Sequence, residues 1–278
     1  MDSKRPGVTP ARVPTSALIV FLPLTFTITW GVIGAYVIAP ETAVAAFGAI
    51  SGSHPAFFIA TWSPAIAGFA AVFLYSGAKG VRGLASRVLV WRCPKRWVLF
   101  VVFVPPLAFI AGSLIKGGPV LSPAPAGAGL AAMVMMLFLG PVEEFGWRGV
   151  MQPILQRLMA PIWAGLLIGA TWGLWHLPAF FLAGVAFADW NFLAFFIGNV
   201  ALAVLVTPLF NRAGGGLAWP MLFHWQLINP FWPDAQPWDT WILVAVAAVV
   251  VVWNKNALFS RGLAIVEVVD GKPNRAGP

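Results

Sequence analysis

Two adjacent glutamates, Glu143 and Glu144, lie in an otherwise apolar stretch, and Arg148 follows them. On a helix, Glu144 and Arg148 form an i,i+4 pair that can close a salt bridge, whereas Glu143 points about 100° away from Glu144. The two carboxylates therefore have different surroundings, one beside a cation and the other free to face a cavity. This division suits general acid–base chemistry, in which a positioned side chain exchanges a proton with a reacting group.

The chain has 3 histidines, and two of them, His176 and His224, lie in apolar surroundings. Because imidazole exchanges protons near neutral pH, both are candidates for the same site. Each could instead be a structural hydrogen-bonding group between helices. Likewise, a Glu-Glu-x-x-x-Arg cluster at a helix end could merely anchor that end. His54 lies beside Ser53 and Pro55 in a predicted external loop, and we assign no chemistry to it.

The elements that must position these residues are membrane helices. The chain is 60% hydrophobic and only 9% charged, and its mean hydropathy is +0.85, which excludes a soluble domain of this length. Apolar runs approach the roughly 20 residues that cross a hydrocarbon core. They predict an all-α membrane protein, a polytopic bundle of about eight transmembrane helices, near residues 17–39, 55–75, 97–115, 128–147, 161–183, 191–210, 217–232 and 238–253.

The basic residues predict the orientation, because Lys and Arg are retained on the cytoplasmic side. With both termini cytoplasmic, only Lys116 falls outside the membrane on the opposite side. The net charge of +8 thus follows topology, so membrane lipids rather than nucleic acid are the expected partners. The cytoplasmic set is Lys4, Arg5, Arg12, Lys79, Arg82, Arg87, Arg92, Lys95, Arg96, Arg148, Arg157, Arg212, Lys255, Arg261, Lys272 and Arg275.

The chain divides into tails and one bundle. We expect a cytoplasmic N-terminal tail at 1–14, a transmembrane helical domain at 15–254 and a cytoplasmic C-terminal tail at 255–278. Within the bundle, 76–96 is predicted to be a long basic loop. The segment after Arg148 is amphipathic, which favours a position along the cytoplasmic interface. The single Cys93 excludes an intrachain disulfide or a thiolate metal cluster and is expected to be inert.

Three short motifs carry a family resemblance. Glu143-Glu-Phe-Gly-Trp-Arg148 resembles the EExxxR motif of the CAAX-protease and bacteriocin-processing (CPBP) family of intramembrane proteases, which includes the Rce1-type prenyl proteases. Trp172-Gly-Leu-Trp-His176 is similar to the aromatic-xxx-His motif that follows, with Trp in place of the usual Phe. His224 begins a segment similar to the third motif, His-xxx-Asn. The resemblance covers about 128–232, the expected protease core.

The resemblance implies a role for each matching residue. Glu143 and His176 would activate a water, His224 would help to stabilise the oxyanion, and Glu144 with Arg148 would hold the site together. The Asn of the third motif falls on Ile228 in this chain. We therefore assign its role to the neighbouring Asn229, whose helical geometry is disfavoured by the following proline.

The expected function is that of an intramembrane endopeptidase in the cell membrane of a bacterium. It would hydrolyse a peptide bond of a membrane-associated or lipid-modified protein or peptide near the cytoplasmic face, and the substrate is prenylated in the best-known relatives. A metal-free mechanism with no cofactor is favoured. The alternative is a divalent metal such as zinc held by Glu143, His176 and His224.

A different class of function also fits the polar cluster. A transporter, or an accessory or immunity protein, could use the same side chains to bind an ion or a partner. A transporter is expected to carry intramembrane acids on several spans, whereas here they are concentrated in Glu143 and Glu144. That concentration favours the enzyme.

Overall fold

The computed structural model describes residues 12–123, 126–183 and 185–269, and the regular structure within them is helical. Large apolar side chains such as Ile19, Leu74 and Leu107 are exposed on the outer surface, as in a protein that faces lipid. The prediction of an all-α, multi-pass membrane protein is confirmed. Among the described residues, six helices are long and apolar enough to cross a membrane: Ala17–Ile38, Pro55–Leu89, Lys95–Ile115, Gly127–Leu158, Pro161–Phe181 and Phe192–Arg212.

The predicted orientation of the termini stays a prediction. Four of the basic residues used for it, Lys4, Arg5, Lys272 and Arg275, lie outside the described residues, as do most of the predicted N-terminal tail and the end of the C-terminal one. The helices in chain order are α1 (Ala17–Ile38), α2 (Pro40–Phe47), α3 (Pro55–Ser86), α4 (Lys95–Ile115), α5 (Ala126–Met136), α6 (Glu144–Gly146), α7 (Gln152–Leu158), α8 (Pro161–Trp175), α9 (Phe192–Arg212), α10 (Ala218–Leu227), α11 (Trp238–Trp253) and α12 (Lys255–Phe259).

The two predicted C-terminal spans are short helices. Helix α10 has 10 residues and therefore extends only about 15 Å, half of a hydrocarbon core. It ends before Asn229, whose following proline disfavours a helical conformation. Helix α11 has 16 residues. The histidine of α10, His224, therefore lies on a helix that is too short to cross the membrane.

The predicted basic loop at 76–96 is mostly helical instead. Helix α3 continues to Ser86 across Gly77, whose φ of 60° lies in the left-handed region. Glycine adopts that conformation without steric cost, so the chain bends there and resumes its helix. Arg82 is exposed on this extension, whereas Arg87 is buried.

The predicted fourth span is a broken helix. Helix α5 ends at Met136, a 3-10 turn covers Gly140–Glu143, and a π-helical turn at Trp147–Met151 separates α6 from α7. The Gly140-Pro141 pair favours this interruption, because proline lacks the N–H that a continuing helix needs. Local helical irregularities of this kind often occur at functional sites.

The prediction that the segment after Arg148 lies along the interface is wrong. Gln152 and Gln156 of α7 are both fully buried. Gln152 donates to the Thr207 carbonyl at 3.2 Å, and Gln156 exchanges hydrogen bonds with Asn211 at 3.1 and 2.7 Å. The polar face turns inward because α9 supplies partners for the amide groups of both glutamines, which lowers the cost of burying them.

Helices α8 and α9 pack closely along a stripe of glycines spaced four residues apart. A Cβ added at Gly169 would lie 2.6 Å from Val200 Cα, and one added at Gly173 would lie 2.7 Å from Phe196 Cδ2. Small residues at this spacing let helix backbones approach in a membrane. The contact fixes the end of α8 against the first half of α9.

The segment after α12 docks into one end of the bundle. Ile265 and Val268 are buried, and Gln156 donates to the Ile265 carbonyl at 2.7 Å. Arg157 donates to the carbonyls of Val266 at 2.6 Å and Val13 at 2.5 Å. Arg157 therefore connects part of the predicted C-terminal tail and the segment before α1 to α7.

Candidate active site

The Glu143-Glu144 pair is buried at the break between α5 and α7. The exposed fractions are 3% for Glu143, 1% for Glu144 and 0% for Arg148. Gly146 allows this segment to contact α3, because a Cβ there would overlap the backbone of Pro64. Burial of charged side chains is costly unless each has a partner, so their contacts define the site.

Glu144 joins two cationic or potentially cationic groups. Its Oε2 lies 3.4 Å from Arg148 Nε, the i,i+4 contact expected from the sequence, and its Oε1 lies 2.8 Å from His224 Nδ1. The Arg148 guanidinium also lies 5.7 Å from the centroid of the Trp172 ring. The glutamate thereby holds the α10 histidine in one orientation, a contact that sequence spacing could not reveal.

Glu143 has a different set of partners. Its Oε2 accepts hydrogen bonds from the indole N–H groups of Trp172 at 2.8 Å and Trp147 at 3.3 Å. An indole N–H can only donate, so both tryptophans orient the carboxylate. No hydrogen-bond partner of Oε1 is found among the described residues, and Glu143 lines a cavity. Oε2 of Glu143 is therefore held by two hydrogen bonds, while Oε1 is available to a group in the cavity.

His176 directly follows the last residue of α8. Its Nδ1 lies 2.8 Å from the carbonyl oxygen of Trp172. A carbonyl only accepts, so Nδ1 carries the proton and, in the neutral ring, Nε2 is an acceptor. The rings of Trp175 and Phe195 lie 4.6 and 5.0 Å from its imidazole, centroid to centroid, and they restrict its rotation.

Glu143, His176 and His224 line one cavity of about 450 Å³. Its other walls are mostly apolar or aromatic, including Ile33, Phe57 and Leu139. The two histidines meet although their distances along the predicted spans differ, because α8 ends at Trp175 and α10 is short. The structure thus brings together three of the residues predicted from the motifs.

Asn229 occupies a different position. Its Oδ1 accepts a hydrogen bond from the backbone N–H of Phe231 at 3.1 Å, a local contact typical of a turn. The cavity wall is formed instead by Ile228, which stands at the expected Asn position of the third motif. The role of Asn229 stays a prediction.

A three-ligand metal site requires side chains whose donor atoms converge and are free to coordinate. Among residues 12–123, 126–183 and 185–269, no three His, Cys, Asp or Glu side chains are arranged to hold one. Glu143 Oε2 already receives two indole donors, and His224 Nδ1 faces Glu144. In this arrangement, Glu143, His176 and His224 do not fit the three-ligand zinc alternative.

Sequence reasoning missed several polar groups near the histidines. Trp147 and Trp172 donate hydrogen bonds to Glu143, a role that the sequence analysis did not assign to them. Asn199 and Asp239 were not singled out, although both line a second cavity with His176 and His224. The sequence does carry a signal for such residues, namely an isolated polar side chain in an apolar helix. Burial of a polar side chain in a membrane is costly, and such residues are often functional.

The fold and the site together define a class, a multi-pass membrane protein with a buried glutamate and histidine site. Residues 125–229 match the family described as type II CAAX prenyl endopeptidase Rce1-like. A curated Methanococcus maripaludis protein described as CAAX prenyl protease 2 is 26% identical over 140 residues, which are 46% of this chain and 52% of that protein. The match thus spans about half of the relative's length. By both findings, part of the chain is similar to Rce1-type prenyl endopeptidases.

Proposed function

We propose that this protein is an intramembrane endopeptidase that hydrolyses a peptide bond near the cytoplasmic face of the membrane. The observation that carries the proposal is the shared cavity, in which Glu143 presents one held and one available carboxylate oxygen beside His176 and His224. Burial of such groups in a membrane helix bundle is otherwise unfavourable. The Rce1-type relationship supports the same class of reaction.

In the proposed reaction, Glu143 and His176 position a water against the substrate carbonyl. The water oxygen adds to the carbonyl carbon while the available Glu143 oxygen accepts a proton. The C–N bond then breaks, and the proton passes to the departing nitrogen. The products are a carboxylic acid and an amine, so atoms and charges balance. Proton exchange of this kind by a positioned group typically contributes 10²–10⁴-fold to a rate.

His224 is proposed to stabilise the oxyanion that forms on the substrate carbonyl. Its Nδ1 faces Glu144 at 2.8 Å, which holds the ring, and in the imidazolium form Nε2 carries a second N–H that can donate to the oxyanion. A donor aimed at developing charge is worth about 3 kcal/mol. Glu144 and Arg148 are positioning residues that hold this imidazole.

The proposed substrate is a protein or peptide that is itself associated with the membrane. The cavity walls are mostly apolar, which suits a lipid-modified chain. The Methanococcus maripaludis relative is described as CAAX prenyl protease 2, so a prenylated C-terminus is the substrate that we would test first. A bacterial cell membrane is the proposed location, and membrane lipids are the expected surroundings.

The test compares Glu143→Gln with the native chain in liposomes that contain a synthetic CAAX peptide, either farnesylated or without lipid. We expect the substitution to lower cleavage at least about a hundredfold while the melting temperature in detergent changes little. Glu41→Gln is the matched control, because Glu41 is exposed in α2. Full cleavage by Glu143→Gln would contradict the proposal. Peptide retention by the native chain without cleavage would favour the non-enzymatic alternative.

A further inference from the structure

A second cavity of about 120 Å³ adjoins the proposed active site. His176 and His224 line both cavities, but Glu143 lines only the larger one. The smaller cavity has polar side chains that the larger one lacks, namely Asn199, Gln236, Asp239 and Thr240. It has room for several water molecules, since one occupies roughly 30 Å³ in the liquid.

Asn199 is the polar residue of this cavity that lies on α9. Its exposed fraction is 2%, and its Nδ2 donates to the Phe195 carbonyl at 3.0 Å. No donor to its Oδ1 is found in the described part of the chain. A buried amide normally fills its hydrogen-bonding capacity. The unpaired Oδ1 of Asn199 therefore indicates that a small hydrogen-bond donor occupies the cavity.

Gln236 gives an independent indication of the same kind. Its Oε1 is buried and has no hydrogen-bond partner among the described residues, while its Nε2 donates to Asp239 Oδ2 at 3.4 Å. Asp239 also accepts from the Thr240 backbone N–H at 2.8 Å. The cavity is therefore rich in acceptors, and water can donate to two of them at once.

The position of Asn199 relative to His176 is fixed by backbone packing. A Cβ added at Gly169 would lie 3.0 Å from the Asn199 carbonyl oxygen, and His176 follows α8 one turn after Gly173. The close α8–α9 contact prevents sliding of one helix along the other. The amide and the imidazole are thus presented to the same space by a rigid pair of helices.

We infer that the smaller cavity holds the ordered water that supplies hydrolysis, with Asn199 as the residue that positions it beside the two histidines. This inference rests on the proposed function. A lipid-modified peptide would fill the larger, apolar cavity and displace water from it. The reaction still consumes one water per bond, and the smaller cavity provides a polar store next to His176 that the substrate does not occupy.

The first measurement needs no activity. Water-derived hydroxyl radicals, produced by a brief X-ray pulse in the full-length protein in nanodiscs, label side chains next to bound water. We expect strong labelling of Phe109 and Phe195, which line the smaller cavity and not the larger one, and its loss in Asn199→Leu. Labelling as weak as that of Phe103, an exposed side chain in the middle of the apolar helix α4, would overturn the water site even if the proposed function holds.

The second measurement separates a positioning role from a structural one. With the farnesylated CAAX peptide, Asn199→Leu is expected to lower kcat about tenfold or more with little change in KM, and Asn199→Asp is expected to restore part of it. The control is Asn211→Leu, a buried α9 amide that binds Gln156, which should lower stability but keep kcat. Unchanged kcat in Asn199→Leu, or no recovery in Asn199→Asp, would overturn the inference. If the native chain cleaves nothing, the proposed function fails and the labelling result still decides whether water is bound.

Discussion

At the scale of single residues, the pair of glutamates owes its unequal roles to unequal partners. Glu144 contacts Arg148 and His224, whereas Glu143 accepts from two indoles. The tryptophan at position 172 replaces the phenylalanine usual in the aromatic-xxx-His motif, and it adds a donor that phenylalanine lacks. The orientation of Glu143 in this chain therefore depends on a hydrogen bond that the usual motif cannot form.

Replacement of that donor tests its contribution. Trp172→Phe keeps a ring but removes the 2.8 Å hydrogen bond to Glu143, and a bond to a charged acceptor contributes about 1.5–3 kcal/mol. We expect a roughly tenfold loss of cleavage. Trp147→Phe should cost less because its bond is longer, 3.3 Å, and the double variant should lose more than the sum of the two free-energy changes, since no donor then remains. Equal activity in all four proteins, measured with the CAAX peptide, would contradict this role.

Cys93 is a residue whose environment controls its reactivity. Burial raises the pKa of its thiol from 9.0 to about 11. A raised pKa favours the neutral thiol, so the reactive thiolate is scarce at neutral pH and increases only as the pH approaches 11.

We accordingly expect maleimide to modify folded protein about a hundredfold more slowly at pH 8 than protein unfolded in SDS. The rate for the folded protein should rise steeply above pH 9. Mass spectrometry of the intact chain measures both rates, and equal rates in the two states would show that the thiol is not protected.

At the scale of elements, close backbone approach positions the site. Gly140 begins the 3-10 turn that carries Glu143. A Cβ at this position would lie 2.7 Å from His224 Nε2 and 2.8 Å from Ile228 Cδ1. Any side chain would displace the imidazole, because contacts that short do not occur without movement of one partner.

Gly140→Ala should therefore reduce cleavage of the CAAX peptide about tenfold or more. Gly127→Ala is the matched control in the same region, because nothing lies within 4 Å of its added Cβ. The alanine at 127 is expected to leave cleavage unchanged. Full activity in Gly140→Ala would show that His224 does not need its present position.

At the scale of the whole molecule, one buried arginine joins distant parts of the chain. Arg87 at the end of α3 donates to the carbonyls of Gly215 at 2.7 and 2.5 Å, Gly149 at 3.1 Å and Val268 at 2.8 Å. It thus connects the segment after α9, the π-helical turn and the docked C-terminal segment. Its guanidinium also lies 5.1 Å from the centroid of the Phe210 ring.

Arg87→Leu leaves several buried carbonyls without donors, which costs about 1–3 kcal/mol for each unsatisfied group. We expect a clear fall in the melting temperature in detergent and release of the C-terminal segment to proteolysis. Arg82→Leu, an exposed site on the same helix, should change neither. Equal melting temperatures for the two variants would show that Arg87 does not hold these segments together.

The sequence predicts the individual helices better than it predicts the contacts between them. It predicted the helical membrane class from composition and the Glu144–Arg148 contact from i,i+4 spacing. It was wrong about the loop at 76–96, since one glycine lets α3 bend and continue. It was also wrong about α7, because the partners of Gln152 and Gln156 lie about 55 residues away and leave no local signal.

The sequence alone is sufficient for the membrane class, the positions of most apolar helices and the motif residues, because hydrophobicity and residue spacing are local properties that act within one helix. The tertiary structure determines which of those residues meet. Long-range packing of glycine-containing helices brings His176 and His224 to Glu143 and Glu144, turns Asn229 toward its own backbone and places Asn199 beside the histidines. Such contacts depend on where helices break and how closely they approach, which is the physical reason that spacing along the chain does not specify them.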